Sequence, residues 1–268
     1  MSDLHENPPP IVSVVMSVYN AEETIDDAIK SILGQTLEDY ELILIDDGST
    51  DRTRQILEEY ADKESRIRVI SHKNIGLTRS LNRGLQEAKG KYIARQDADD
   101  YSYPQRLAMQ VELMENNPDI VLCGSNCDNV YSDGITSQWG HKTEEVLKSS
   151  IPYKTPFAHS TAIFKTDSAR KLGGYDETFV TAQDMEFWIR LSAQGRVVML
   201  EQPLIKRHVL DNSVSVKKRW RQNYDAFRAR WKHNRNNRVL ALYHTLRSFL
   251  ISLLPAKVLA FKQGLKNE

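Results

Sequence analysis

Three carboxylates fall within four residues at Asp97-Ala98-Asp99-Asp100, directly after the run Lys91-Tyr92-Ile93-Ala94-Arg95-Gln96. Tyr92 and Ile93 suit a strand, and strand side chains alternate between faces. The expectation is therefore that Asp97 and Asp99 leave the strand's end on the same side. Two carboxylates converging there repel unless a cation sits between them. A divalent metal that keeps positions open for phosphate oxygens is the natural occupant. The plainer alternative is that Asp99 and Asp100 cap the turn before Pro104, where Asp is favoured. Asp-X-Asp alone does not decide between the two.

The elements that must position this stretch alternate along the chain. Residues 10–20 read as a buried strand, a near-continuous apolar and β-branched run. Asn20 then suits an N-cap, with Glu23 as its capping-box partner, for a helix running to about Gly34. Glu41–Ile45 is a second strand ending in Asp46-Asp47-Gly48-Ser49-Thr50-Asp51, followed by a helix to about Ala61. Ile67–Ile70 is a third strand, Leu77–Ala88 a helix, and the carboxylate stretch closes a fourth strand. Further on, a helix from Pro104 to Leu113 leads to a strand at Ile120–Cys123. Thr166 caps a short helix stopped by Gly173-Gly174, and a helix opens near Thr181. Val197–Leu200 and Leu204–Ile205 look like two closing strands, followed by Lys206-Arg207-His208. Such alternation calls for right-handed crossovers and a mainly parallel, Rossmann-like sheet with helices on its faces. Ligands of such sheets bind beyond the carboxyl ends of the strands. Tyr19-Asn20, Asp46-Asp47 and Asp97-Asp99 all belong to that edge.

Familiar phosphate cradles are missing. No Gly-X-Gly-X-X-Gly follows the first strand and no Gly-X-X-X-X-Gly-Lys-Ser/Thr occurs. A metal ion on the aspartates supplies the positive charge those loops would otherwise provide. The two cysteines, Cys123 and Cys127, have no second pair to complete a zinc site and read as buried free thiols. Residues 1–9 are polar and proline-rich, a flexible N-terminus without the basic-then-apolar pattern of an export signal.

With 36 basic and 36 acidic residues the formal charge is zero, but the halves differ. Residues 217–268 carry thirteen Lys and Arg against two acids, Asp225 and Glu268, and the body before them is correspondingly acidic. A basic tail on an acidic body suits an anionic partner.

Taken in order, six motifs resemble the inverting, metal-dependent glycosyltransferases of family 2, which have the GT-A fold. They are Val-Ser-Val-Val-Met-Ser-Val-Tyr-Asn ending at Asn20; Asp46–Asp51; Asn74-X-Gly76 through Asn82-X-Gly84; Asp97-Ala98-Asp99-Asp100; Gly174-Tyr175-Asp176-Glu177; and Ala182-Gln183-Asp184. The resemblance covers about residues 10–215. It implies that Ser17, Tyr19, Asn20, Asp46, Asp47, Asp97, Ala98 and Asp99 receive a nucleotide-sugar, commonly a UDP-sugar. Asp99, with Asp97, would hold Mn²⁺ or Mg²⁺, and His208 is a candidate further ligand to metal or diphosphate, with a structural histidine as the alternative. Arg79 at a helix start is a candidate nucleotide contact, with a solvated surface charge as the alternative. The family's acceptor-side Glu-Asp is Gln183-Asp184 here. Asp184 takes the catalytic-base role, while the change to Gln leaves the partner's acceptor role open.

The implied reaction needs a stabilised diphosphate leaving group and a carboxylate to take the acceptor hydroxyl's proton. Direct displacement then inverts the anomeric centre. For Asp184 the structural alternative is a capping box begun by Thr181. A base at a helix start is also physically reasonable, because the dipole favours its ionised form. Trp188 is either core or a sugar platform, and His159 either an acceptor-side group or a satisfied loop histidine.

Residues 216–268 are expected to be a helical, basic tail. Trp220, Tyr224, Phe227 and Trp231 recur at near-helical spacing and read as one packing stripe rather than a nucleic-acid surface. Val239–Leu254 is apolar but interrupted by His244, Arg247 and Ser248, too short and broken to span a bilayer. An amphipathic helix on an anionic membrane fits better, placing the protein in the cytoplasm at the membrane's inner face; packing on the catalytic domain or a homodimer are the alternatives. The expected activity is transfer to a glycan or lipid-linked acceptor in cell-surface polysaccharide or lipopolysaccharide assembly. Two other classes remain. A sugar nucleotidyltransferase should carry a Gly-rich phosphate loop, and a non-catalytic binding module would tolerate loss of Asp97, Asp99 or Asp184.

Overall fold

A computed structural model describes residues 8–131, 134, 136–209 and 219–252. The start of the N-terminal segment, the boundary at 215/216 and the tail beyond Ser252 lie outside the described residues.

The first half is a parallel sheet built from alternating units: β1 (Val12–Val18), α1 (Ile25–Leu33), β2 (Tyr40–Asp46), α2 (Thr53–Ala61), β3 (Ile67–Ser71), α3 (Leu77–Glu87) and β4 (Tyr92–Gln96). Its strands lie in the order β3-β2-β1-β4, all parallel. Alternate residues serve opposite faces, which is why the strand sequences are apolar throughout. Val14, Met16, Leu42 and Leu44 meet α1, while Val15, Ile43 and Ile45 meet α3. Gly84 lets α3 sit this low on the sheet, since a Cβ there would come within 2.4 Å of Val15 Cγ1.

The second half is mixed. It comprises β5 (Tyr101–Ser102), α4 (Arg106–Asn116), β6 (Ile120–Tyr131), β7 (Thr136–Gln138), α5 (Glu144–Ser150), a 3₁₀ turn (His159–Thr161), β8 (Ile163–Lys165), α6 (Thr166–Lys171), α7 (Gln183–Ser192) and β9 (Arg196–Val209). Beyond β4 the order continues β8-β6-β9-β5, with β8 antiparallel to β4 and to β6. Two helices follow, α8 (Arg219–His233) and α9 (Arg238–Ser252).

Four expectations change. Asn20 does not cap α1, because its backbone is left-handed (φ 49°) and the helix starts at Ile25. Thr166 is the first residue of α6 rather than its cap. The two closing strands are one long strand, β9, irregular opposite Ser125–Cys127, so His208 lies within a strand. On α8 the buried positions are Asp225, Ala226, Ala229 and Arg230, while Trp220 and Tyr224 are exposed. Ala226 and Ala229 let α8 approach the body closely, while Asp225 and Arg230 reach into it through polar contacts.

Candidate active site

The carboxyl edge of the parallel sheet is held by interlocked loops. Asn20 accepts the Thr50 N–H at 2.8 Å, and its own N–H donates to Ser49 Oγ, joining the loops after β1 and β2. Asp46 is buried and accepts the Ser49 N–H, so it shapes the turn and does not line the cleft. Asp47 faces the cleft and accepts the N–H groups of Ile75 (2.7 Å) and Gly76 (3.0 Å), which ties the loop after β3 to β2. Gly48 (φ 74°) is required between them: a Cβ would come within 2.6 Å of the Asn74 nitrogen.

Asp97 and Asp99 follow the end of β4 and lie in a turn, so strand alternation is not what brings them together. A buried polar scaffold does that. Gln96 Nε2 donates to the carbonyls of Asp97 and Asp100, and buried Arg106 donates to Gln96 Oε1 and the Arg95 carbonyl. Arg95 itself is buried and ion-paired with Asp97 at 2.5 Å.

Two depressions meet here. The first, about 790 Å³, is lined by Ser17, Tyr19, Asn20, Asp47, Asp97, Ala98 and Asp99 among others. That volume suits a ligand the size of a nucleotide-sugar. The second, about 340 Å³, contains His159, Gln183, Asp184, Arg207, His208 and Gln222. Leu77, Arg95, Asp97, Asp99 and Val180 belong to both walls.

The remaining residues singled out from the sequence fall elsewhere. Arg79 is exposed on α3, pairs with Glu177 at 3.3 Å and lines neither depression. Trp188 is wholly buried, packed against His159, Phe164, Tyr175 and Phe187, and is core. His159 hydrogen-bonds the Tyr175 hydroxyl through Nε2, and burial with the nearby Arg95 charge holds its pKa well below the usual imidazole value. It is a neutral ring at neutral pH. Arg95, Asp51, Arg207 and Gln222 also line the site and were not singled out. Arg95 had a legible signal, an arginine inside an otherwise buried strand; Gln222 had none.

Electrostatics around the carboxylates favour a cation. Burial, then the Asp97 charge, raises the pKa of Asp99. Asp100, also buried, is pushed up to about 7 by burial and by Asp97 and Asp99. Its Oδ1 accepts the His208 N–H while Oδ2 has no partner. The His208 Nδ1 lies 2.6 Å from the Asp99 carbonyl, which can only accept, so Nδ1 carries the proton. Nε2 is left with a free lone pair, the tautomer a metal ligand needs. Among the described residues no three His, Cys, Asp or Glu side chains form a self-sufficient metal site. Asp97, Asp99 and His208, the trio expected to hold a metal, line one depression but do not close into such a site by themselves.

The uncompensated Asp100 charge has a stability consequence. Its folded-state pKa is raised above the unfolded value, so the stability present at low pH is lost progressively as pH rises from the ordinary carboxylate range to about 7. Asp100→Asn should therefore raise Tm more at pH 8 than at pH 5, and least at pH 3.5, as measured by calorimetric melting. Equal shifts at all three pH values would contradict this origin.

Asp184 lies in the first turn of α7, partly exposed to the second depression. Burial raises its pKa against opposing backbone N–H groups, so it is a stronger base than a surface aspartate. The capping-box alternative does not hold. Ala182 is the N-cap, in a left-handed conformation, and no side chain caps the helix.

Comparison with known proteins agrees with this geometry. Residues 13–173 match the family model "Glycosyl transferase family 2". EpsE of Bacillus subtilis (strain 168) is 38% identical over 223 residues, covering 80% of this chain and 77% of the relative. The O-antigen biosynthesis glycosyltransferase WbnJ of Escherichia coli is 31% identical over 183 residues, covering 68% and 71%. Among solved structures, S. aureus TarS 1–349 in complex with UDP-GlcNAc superposes with a TM-score of 0.68 at 22% identity, over 81% of this chain and 64% of that one. The mannosyltransferase PcManGT from Pyrobaculum calidifontis, in complex with GDP-Man and Mn²⁺, gives 0.65 at 19% identity, over 97% and 81%. The fold is GT-A, with a mixed α/β sheet and flanking helices.

Proposed function

The chain belongs to glycosyl transferase family 2, and from that membership we propose that it transfers a sugar from a UDP-linked donor to a glycan or lipid-linked acceptor, with inversion. The observation that carries this reading is the pair of depressions with a common wall. One is sized for a nucleotide-sugar, and the other is lined by Asp184, a partly exposed aspartate whose pKa is raised. TarS with UDP-GlcNAc supports the donor class, and PcManGT with GDP-Man and Mn²⁺ supports a metal-assisted site.

In this reading the nucleotide lies between the loops of Asn20, Asp47 and Asn74, and its diphosphate points toward Asp97 and Asp99. Asp99, Asp97 and His208 would hold a divalent metal, which when bound neutralises charge on the departing diphosphate. Arg95 and Arg207 add fixed positive charge beside it. Asp184 accepts the proton of the acceptor hydroxyl as that oxygen bonds to the anomeric carbon. The bond from that carbon to the diphosphate oxygen breaks in the same displacement, so an α-linked donor gives a β-linkage. Gln183 and His159 stand on the acceptor side, where neutral groups suit hydroxyl recognition.

We also propose peripheral attachment to an anionic membrane, in keeping with cell-surface polysaccharide assembly. No described helix is long and apolar enough to cross a membrane. Helix α9 turns Ala241, Thr245 and Ser248 toward the protein, where Arg230 reaches Thr245 and Ser248. Val239, Leu242, Tyr243, Leu246 and Leu250 are exposed. This outward apolar stripe, beside a basic sequence, suits burial in a headgroup layer.

The test is UDP release from UDP-glucose, UDP-galactose and UDP-GlcNAc with Mn²⁺, alongside sedimentation with phosphatidylserine or phosphatidylcholine vesicles. Turnover of one donor, and salt-sensitive binding to the anionic vesicles alone, are expected. No turnover of any UDP-sugar would overturn the donor assignment, and equal binding to both vesicles would overturn the electrostatic attachment.

A further inference from the structure

The N-terminus of α7 is fixed by a residue of α8. Ala182 has φ 52° and ψ 22°, a left-handed conformation that is unfavourable for a non-glycine residue. Such a residue persists only when its surroundings over-determine it. The N–H and Oγ1 of Thr181 both donate to Asp225 Oδ2, at 3.2 and 2.9 Å. On the other side Ala182 packs with Met185 and Ala226. The threonine hydroxyl, which ordinarily caps the helix it precedes, is turned instead to α8.

Asp225 is itself wholly buried and held ionised. Arg221 and Arg228 donate to its two oxygens, and with Thr181 they hold its pKa below the usual carboxylate range despite burial. Arg228 also donates to the Thr178 carbonyl and lies over the Phe179 ring. One turn into α7, Glu186 accepts from Lys232 and His233 of α8. The segment Thr178–Glu186 is therefore held along its length by one helix, which also contributes Gln222 to the acceptor-side depression.

We propose that Asp225 is a positioning residue for the catalytic base. Through Thr181 it sets the left-handed turn at Ala182 and hence the direction of the Asp184 carboxylate. This rests on the reading of Asp184 as base. Asp225 is not among the lining residues of the nucleotide-sized cleft, so its loss should affect the chemical step and spare donor binding.

The experiment compares Asp225→Asn, Thr181→Val, Thr181→Ser and the Asp225→Asn/Thr181→Val double variant. Readouts are UDP release from UDP-GlcNAc, UDP affinity by calorimetry, and the Asp184 carboxyl titration followed by ¹³C NMR. Asp225→Asn should lower kcat about 10-fold with donor KM and UDP affinity within about twofold. Thr181→Ser should retain the wild-type rate, and the double variant should fall no further than Asp225→Asn. The Asp184 midpoint should drop from its raised value toward that of an exposed aspartate, against the fixed charges of Arg95 and Asp97 and beside Tyr175. Unchanged kcat and an unchanged midpoint, or rate and UDP affinity falling together, would overturn the proposal. If Asp225→Asn does not fold, Thr181→Val against Thr181→Ser decides it. Wild-type protein that turns over no UDP-GlcNAc would count against that donor, while the NMR midpoints still test Asp225.

Discussion

Asp184→Asn should lower kcat about 10²–10⁴-fold, the range for loss of a general base, while UDP affinity stays within about twofold. The amide occupies the same volume at the start of α7 and can still accept from the backbone N–H groups, but it cannot take a proton. Burial raises the pKa of Asp184, so the rate supported by the native residue should fall as pH drops through a value above the ordinary carboxylate range. Initial rates of UDP release across pH, for both proteins, check this. An Asn variant with near-native turnover would move the base elsewhere, and His159 would be a poor substitute because its lowered pKa makes it a weak base and its Nε2 is engaged by the Tyr175 hydroxyl.

The second large effect concerns the donor site. Asp47→Ala should weaken UDP binding at least about 100-fold, or roughly 3 kcal/mol. The carboxylate accepts the N–H groups of Ile75 and Gly76, and charge-assisted bonds of this kind are worth about 1.5–3 kcal/mol each. Removing it orphans both donors and releases the loop that carries Asn74 and Gly76 into the cleft. Asp47→Asn keeps one acceptor oxygen and should fall between wild type and Ala. Calorimetric titration with UDP measures the series, and equal affinities for all three proteins would contradict this role.

Where local pattern decides structure, the chain was readable. The runs at β1 and β2 are apolar nearly throughout because both faces of a central parallel sheet are covered, and that placed Asp47 and Asp97 at one edge. Strand alternation is not what places Asp97 and Asp99 together. β4 stops at Gln96, and the carboxylates converge because Gln96 and Arg106 staple the turn. Both are polar residues whose partners are distant in sequence, and no period reveals such a scaffold. Arg79 was misplaced for the converse reason: its helix was legible, but the direction of its side chain depends on Glu177, almost a hundred residues away. Asn82-X-Gly84, read only as a motif, is a packing device. Asn82 grips both backbone groups of Tyr175 while Gly84 rests on β1. The tail's basic composition pointed outward to a partner, yet the buried acid Asp225 points inward to α7. Composition averages over residues and cannot single out the one that matters.

The proposed UDP-sugar site at the sheet edge, completed by a metal on Asp99, is tested most directly by titrating UDP calorimetrically into wild type and Asp99→Ala, each with and without Mn²⁺. The expected result is binding to wild type that strengthens at least about tenfold with Mn²⁺, and loss of that enhancement in Asp99→Ala. UDP binding of equal strength in all four titrations would contradict the metal-assisted site, and no binding in any would contradict the donor assignment itself.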